Sequence, residues 1–282
     1  MQLPATSLAG QASELSRLAN RAAAVVPAGS DADYYIDSTG GTIPIGDLPI
    51  GMRVVDSSWV WEFRTGPDYT YVPGDETKPV NWIVVAYDHY DLSEGHVTLL
   101  SEELIGGFVF DDSTSRGSQY GSNHWGESGT ANATRGLRPW LNSICIHVGE
   151  GFYRVFSAGL KGAILATKVP NKEWKSSNEY MTEDLVFVPS STELGDVDHK
   201  YTYHIGSAYP YFSGEGDVNR IALLNGEPWW YWMRSPDSDL GGCVRYVRST
   251  GCSSDSSDSN VDLGVRPALN LKSGILVSQI EN

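Results

Sequence analysis

The chain has 282 residues, of which 40% are hydrophobic and 11% aromatic, enough for one large or two small domains with a real core. A formal net charge of -15 argues against an electrostatic grip on a phosphate backbone or an anionic membrane, because both need clustered Lys and Arg. No nucleic-acid partner is expected. No apolar run reaches bilayer-spanning length, and the opening MQLPATSLAGQASELSRLAN has neither the basic n-region nor the continuous apolar h-region of a secretory signal, so no signal peptide and no membrane insertion are expected.

Leu8, Ala12, Leu15, Ala19, Ala22 and Val26 alternate steps of four and three, the a/d spacing of a coiled coil, with Ser7 available as an N-cap. This predicts a helix over the first 26 residues, either docked on its own domain or associating with copies of itself, as in a homotrimer. Pro27, AGSDAD and DSTGGT then read as a linker of turn formers. Residues 1–41 are thus expected to serve oligomerisation or attachment, and residues 42–282 to form the folded unit.

From Thr42 the pattern turns to short strands. TIPIGDLPIGMRVV, WVWEF, VNWIVVAY and HVTLLSEE carry β-branched and aromatic residues between Gly, Pro and Asp. SNHWGESGTANATRGLRPWLNS reads as a polar loop entering a short helix near Leu137 to Asn142. In GEGFYRVFSAGLKGAIL, Phe152, Val155, Phe156, Leu160 and Ile164 fall at the helical step. More strands follow DLVFVPSSTELG, in WWYWMRS, GCVRYVRS and GVRPALNL. The fold class expected is α+β, without the strand and helix alternation of a doubly wound sheet.

The search for chemistry gives little. The histidines at 89, 96, 124, 147, 199 and 204 form no HExxH, the Gly-rich stretches lack the GK[ST] of a phosphate loop, and GxSxG is absent. Asp111/Asp112 and Asp196/Asp198 suit solvated loops better than a calcium site, since no EF-hand loop is present. The expectation is no catalytic residue, no metal and no cofactor. Cys145, Cys243 and Cys252 are an odd number without CxxC spacing and read as free thiols, with a Cys243–Cys252 disulfide left open. Trp229, Trp230 and Trp232 suit either a sugar-stacking platform or core packing. Strand alternation sets Trp230 and Trp232 on one face and Trp229 and Tyr231 on the other, and core packing is favoured because large aromatics dominate cores and the apolar VRPALNL could lie beside them.

Between WWYWMRSP and GVRPALNL lies DSDLGGCVRYVRSTGCSSDSSDSNVD, residues 237–262, a drift of Asp, Ser, Gly and Cys held between apolar flanks. SNHWGESGTANATRGLRPWLNS, DLVFVPSSTELG, WWYWMRSP and GVRPALNL resemble, in that order, the successive motifs of a family of bacterial and phage proteins catalogued as a domain of unknown function. That family is similar to the C-type lectin fold of formylglycine-generating enzymes and of the target proteins of diversity-generating retroelements. The resemblance covers roughly Thr42 to the C-terminus. It implies a C-type lectin-like domain with short strands and two helices after the N-terminal helix, and a variable region at about 225–270.

In such retroelements AAY codons become NNY codons, which cannot encode Trp, Met, Gln, Lys or Glu. These types make up 39 of the 282 residues, yet Arg234 to Leu271 holds none, where a stretch of that length would hold about five at the chain average. The resemblance therefore implies a non-enzymatic, ligand-displaying protein that binds protein or carbohydrate on a target cell surface, carried on a phage tail or a bacterial cell surface. A fixed carbohydrate-binding module and a formylglycine-generating-type oxidase are the alternatives, although EPN, QPD and WND are missing and Cys243 and Cys252 lie outside the oxidase motifs.

A scaffold that must tolerate many side chains cannot depend on them for stability. If GCVRYVRS is a strand, Val244, Tyr246 and Arg248 share one face and Cys243, Arg245 and Val247 the other, with Val247 marking its set for burial. The predicted display surface is therefore Asp237, Asp239, Leu240, Tyr246, Arg248, Cys252, Asp255, Ser257, Asp258 and Asn260. Its predicted support is Trp230, Trp232, Arg234, Val265, Arg266 and Leu269.

Overall fold

The computed structural model describes residues 32–36, 40–56, 59–65, 71–111, 123–125, 136–143, 151–172, 178–196, 203–213, 216–253 and 255–280, with residues 59–65, 71–78 and 255 described by backbone alone. The helix expected over the first 26 residues lies outside the described residues, as does Cys145. In chain order the strands are β1 (Tyr34–Ile36), β2 (Ile43–Pro44), β3 (Arg53–Val55), β4 (Trp59–Thr65), β5 (Tyr71–Pro79), β6 (Trp82–Tyr87), β7 (His96–Ser101), β8 (Gly107–Val109), β9 (Thr167–Lys172), β10 (Glu179–Asp184), β11 (Leu223–Leu224), β12 (Glu227–Pro228), β13 (Tyr231–Pro236), β14 (Cys243–Val247), β15 (Asp255–Asp258), β16 (Asp262–Gly264), β17 (Ala268–Lys272) and β18 (Leu276–Gln279). The helices are α1 (Leu137–Leu141) and α2 (Ala158–Ala163).

The expected α+β class is thereby overturned: the described residues are mostly β, and the helices are single turns. The helical step from Phe152 to Ile164 is broken because Phe156 and Ser157 are extended. Ser157 starts α2 afresh, its Oγ accepting the Leu160 amide at 3.1 Å while donating to Asp56 at 2.7 Å. Phe152, Phe156, Leu160 and Ile164 reach the core all the same. An apolar step of three and four therefore told which residues are buried, but not that one helix carries them.

Seven strands form one sheet in the order β17-β7-β6-β3-β1-β18-β2. Within it β6 and β7, WIVVAY and HVTLLS, are buried at nearly every position and so covered on both faces. Tyr34 pairs with Gln279 on one side and Val54 on the other, so the two ends of the described chain meet inside this sheet. The boundary expected at Thr42 is corrected by this pairing, since β1 belongs to the domain. Three residues are too few for a period to register, and their partners come from remote segments.

Five strands form the second sheet, β15-β14-β13-β16-β8. The segment 237–262 that reads as a loose drift supplies β14, β15 and the start of β16. GVRPALNL then crosses between the sheets. Val265 exchanges backbone hydrogen bonds with Ile105 and Gly106 at 3.0 Å, and Arg266 Nε donates to the Ser101 carbonyl at 3.0 Å. An aromatic seam runs beneath, with Phe108 on Trp140 at 5.3 Å, Trp140 on Phe152 at 5.8 Å and Phe152 on Phe156 at 4.9 Å.

Candidate functional site

Arg234 in β13 points into the interior, where it forms a bidentate ion pair with Glu193, both side chains having no exposure. The TELG turn is built to deliver that carboxylate. Ser190 Oγ accepts the Glu193 amide at 3.1 Å, and Glu193 Oε2 accepts the Ser190 amide at 3.0 Å. Tyr90 donates to Oε1 at 2.9 Å and Tyr209 to Oε2 at 3.1 Å, with the two hydroxyls 2.7 Å apart. The remaining Arg234 donors reach the Val188 and Pro170 carbonyls at 2.9 and 3.2 Å.

Burial alone would push the Glu193 carboxyl up, but the Arg234 guanidinium, with its hydrogen bonds and the Ser190 amide, outweighs it and holds the carboxyl below its ordinary value. Burial beside Glu193 pushes the Tyr90 and Tyr209 hydroxyls well up. His89, half-buried at the edge of this cluster, packs edge-on against Tyr209 at 4.6 Å, and burial lowers its pKa despite Glu193. Each oxygen and guanidinium nitrogen here is engaged within the protein. The cluster locks the PSSTELG turn to β13 rather than presenting a group to a substrate.

Other quoted motifs end in similar knots. Asp184 accepts from Trp125 at 3.0 Å, Arg138 at 2.7 Å and Thr182 at 2.6 Å. Asn142 imitates a strand edge, its Oδ1 taking the Leu185 and Val186 amides at 2.7 and 3.1 Å while its Nδ2 donates to the Val186 carbonyl at 2.8 Å. In LRPWLN and ED-LVF, the polar letters are thus structural.

The predicted display residues separate into three groups. Asp239, Leu240 and Arg248 are exposed, and Cys252, Ser257, Asp258 and Asn260 are partly so. Asp237 and Tyr246 are not, with 4% and 6% exposure. Asp237 Oδ1 accepts the Asp239 and Leu240 amides at 2.8 and 3.0 Å, the turn an Asp makes by bonding the backbone two and three residues on, while Oδ2 faces Arg245 at 3.5 Å. Asp255 supplies backbone to β15, and its side chain lies outside the described residues.

Nor do the exposed positions form one patch. Asp239 and Leu240 lie near the end of β14 where Cys243 pairs with Asp258, whereas Arg248 and Cys252 lie beyond Val247, which pairs with Tyr231. The rise of β14 separates the two ends by about 13 Å.

Of the predicted supports, Trp232, Arg234, Val265, Arg266 and Leu269 are buried. Trp230 corrects the expectation, being 45% exposed, and Trp229 beside it is 50% exposed. Alternation fails there because β13 begins only at Tyr231. It fails again in β14, where Val244, Arg245, Tyr246 and Val247 are all buried because both faces of the sheet are covered. Arg245 Nη2 donates to the Ser253 carbonyl at 2.9 Å, while its Nε has no acceptor among the described residues. Burial lowers its pKa, opposed by Asp237 and Asp196.

Cys243 and Cys252 are both partly buried and are not joined in a disulfide, which answers the open pairing in the negative. Cys243 lies 3.3 Å from Asp258, and burial with that carboxylate pushes its thiol up to about 12. Gly251, at φ 85, turns the chain so tightly that a Cβ there would lie 1.8 Å from the Asp217 carbonyl oxygen. Among the described residues no His, Cys, Asp and Glu cluster of three or more is arranged to hold a metal ion, and no helix is long and apolar enough to cross a membrane.

Comparison with curated proteins and with solved structures finds no match. A family match does span residues 94–273, from β7 through β17, and takes in the whole five-stranded sheet with the Glu193–Arg234, Asp184–Arg138 and Arg245–Asp237 pairs. Because that span is well over half of the chain, the protein belongs to the family described as Domain of unknown function (DUF6273).

Proposed function

We propose that the protein is a ligand-binding display protein whose five-stranded sheet carries exposed turn positions that vary without disturbing the core, as in targets of diversity-generating retroelements. The observation that carries this reading is the partition of the stretch from Arg234 to Leu271. Its interior positions, among them Arg234, Arg245, Ser253 and Ser259, are buried, while Asp239, Leu240, Arg248, Thr250, Val261 and Asp262 stand exposed at strand ends. The buried ionic knots support it too, since they give the sheet a rigidity that owes nothing to the exposed turns. The same chain segment thus combines buried and exposed positions at single-residue intervals. A phage tail or a bacterial cell surface is the setting such a receptor-binding protein serves, with protein or carbohydrate on a target cell as partner and, for the full chain, trimerisation through the N-terminal segment raising avidity.

A library with NNY codons at the six exposed positions tests the reading. Most members should remain folded, and panning on intact bacteria should enrich binders that differ at those positions. General unfolding of the library, or panning that enriches no sequence, would reject it. In the encoding DNA the reading expects a near-repeat of the codons for residues 225–270 with adenine mismatches, next to a reverse transcriptase gene.

A further inference from the structure

The two outer strands of the five-stranded sheet differ. β8 lies beside β4, whereas β15 has β14 on one side and, among the described residues, no strand on the other. The ladder fixes which backbone groups face that open side. Cys243 pairs with Asp258 and Val244 with Ser257, and the Ser259 amide donates to the Gly242 carbonyl at 3.0 Å. In an antiparallel pair such a bond makes Cys243–Asp258 a non-hydrogen-bonded pair and Val244–Ser257 a hydrogen-bonded one. Asp255 and Ser257 therefore turn their N–H and C=O to β14, and Ser256 and Asp258 turn theirs away. The Asp258 carbonyl accepts the Val261 amide at 3.2 Å. The Ser256 N–H and C=O and the Asp258 N–H are left in a row along the open edge.

We propose that this edge takes one more strand, an extended basic segment of a protein partner, paired through Ser256 and Asp258. Charge selects the occupant. β15 reads DSSD, and the run from Asp237 to Asp262 holds five Asp against two Arg. The partner of the Asp258 carboxylate among the described residues is the Cys243 thiol at 3.3 Å, not a cation. A second copy would bring the same two Asp and a like net charge of -15, which disfavours self-pairing. The Asp residues that keep neutral and acidic strands off attract one with Lys or Arg at alternate positions. Main-chain bonds then supply the hold and alternate side chains the choice. The inference rests on the reading of the protein as a display protein: every residue but Pro carries the N–H and C=O that such a partner pairs with, so the anchor persists while codons in the stretch change.

The full chain is immobilised and panned with phage-displayed random dodecapeptides. Enriched peptides should be rich in Val, Ile and Thr with Lys or Arg at alternate positions, and synthetic copies should bind more weakly as salt rises. Ser256→Pro removes an outward N–H without touching the ladder to β14, and should lower affinity for those copies roughly tenfold or more at an unchanged melting temperature. Ser256→Ala keeps the N–H and should leave affinity unchanged. Should Ser256→Pro lower the melting temperature, N-methylation of alternate peptide nitrogens replaces it: one register should abolish binding and the shifted register leave it intact. No enrichment, enriched peptides without basic residues, equal binding to Ser256→Pro or in both methylated registers, or an equal loss in Ser256→Ala overturns the proposal. Failure of the strand peptides while the NNY library still yields binders rejects this inference and leaves the display reading standing. A library that yields none, with strand peptides that still need the Ser256 N–H, does the reverse.

Discussion

Arg234 and Arg245 occupy neighbouring strands of one sheet and are equally hidden, yet they are held in different ways. Arg234 meets Glu193 through two nitrogens and two carbonyls besides, and every donor near the carboxylate is used. Arg245 faces Asp237 at 3.5 Å, donates to the Ser253 carbonyl and has no acceptor for its Nε among the described residues. The first sits in a motif, the second inside the Asp- and Ser-rich segment. A sheet can therefore be locked on one strand and only loosely satisfied on the next.

Removing the locked arginine should have the largest effect. Arg234→Met is expected to cost about 3–5 kcal/mol in chemical denaturation, because Glu193 is left charged and buried without its opposite charge. The pH dependence sharpens this. In the native protein the Glu193 carboxyl lies below its ordinary value, so its contribution is complete above the usual carboxylate range and is lost as pH falls through the folded value. In Arg234→Met the largest force holding that carboxyl down is gone and burial outweighs the Ser190 amide that remains, so the variant gains relative stability as pH falls and the difference from the native protein shrinks. A difference that grew towards acid pH would show that the pair is not what holds the turn.

Gly251 tests whether the loosely held side nonetheless has fixed points. Gly251→Ala places a methyl against the Asp217 carbonyl oxygen and forces a left-handed residue, and should cost about 1–3 kcal/mol, whereas Thr250→Ala next to it should stay within about 0.5 kcal/mol. Equal effects at the two positions would erase the partition between locked and free residues. Arg245→Met should cost less than Arg234→Met, about 1–2 kcal/mol, since Asp237 keeps the Asp239 and Leu240 amides as partners.

Much of the architecture was legible in the sequence, and the exceptions have physical causes. Apolar runs marked β6 and β7 because both faces are buried, and the short helix at LRPWLN was readable from Leu137, Trp140 and Leu141. β1 was hidden in a run of turn formers because its stability comes from β3 and β18, at opposite ends of the chain. At the site, period-two reasoning assumed one covered face and misplaced Tyr246, while Trp230 was put in the core because the strand was taken to begin before Tyr231. Asp237 carried a usable signal, an Asp after Pro at the head of the turn-forming run DSDLGG, which marks a side chain committed to its own turn. The Glu193–Arg234 pair carried none, since an acidic residue in a Ser-rich turn reads as solvated until the fold brings Arg234 to it.

The smallest effect is chemical, and it probes whether the hairpin of β14 and β15 is ordered at all. Cys243 lies where β14 begins, half-covered, with Asp258 across the strand pair at 3.3 Å. Burial first, then that carboxylate, push the thiol up to about 12, so at mildly alkaline pH almost none of it is the reactive thiolate. Alkylation followed by peptide mapping, which separates Cys243 from Cys145 and Cys252, should find it modified roughly a hundredfold or more slowly than a thiol in a short peptide. Asp258→Asn removes the neighbouring negative charge and should speed the reaction several-fold without altering the melting temperature, since β15 keeps its backbone pairing. If Cys243 reacted at the peptide rate, the Asp and Ser segment would not be held against β13. The contrast between the locked and the loosely satisfied arginine would then reduce to a contrast between a sheet and an unpaired loop.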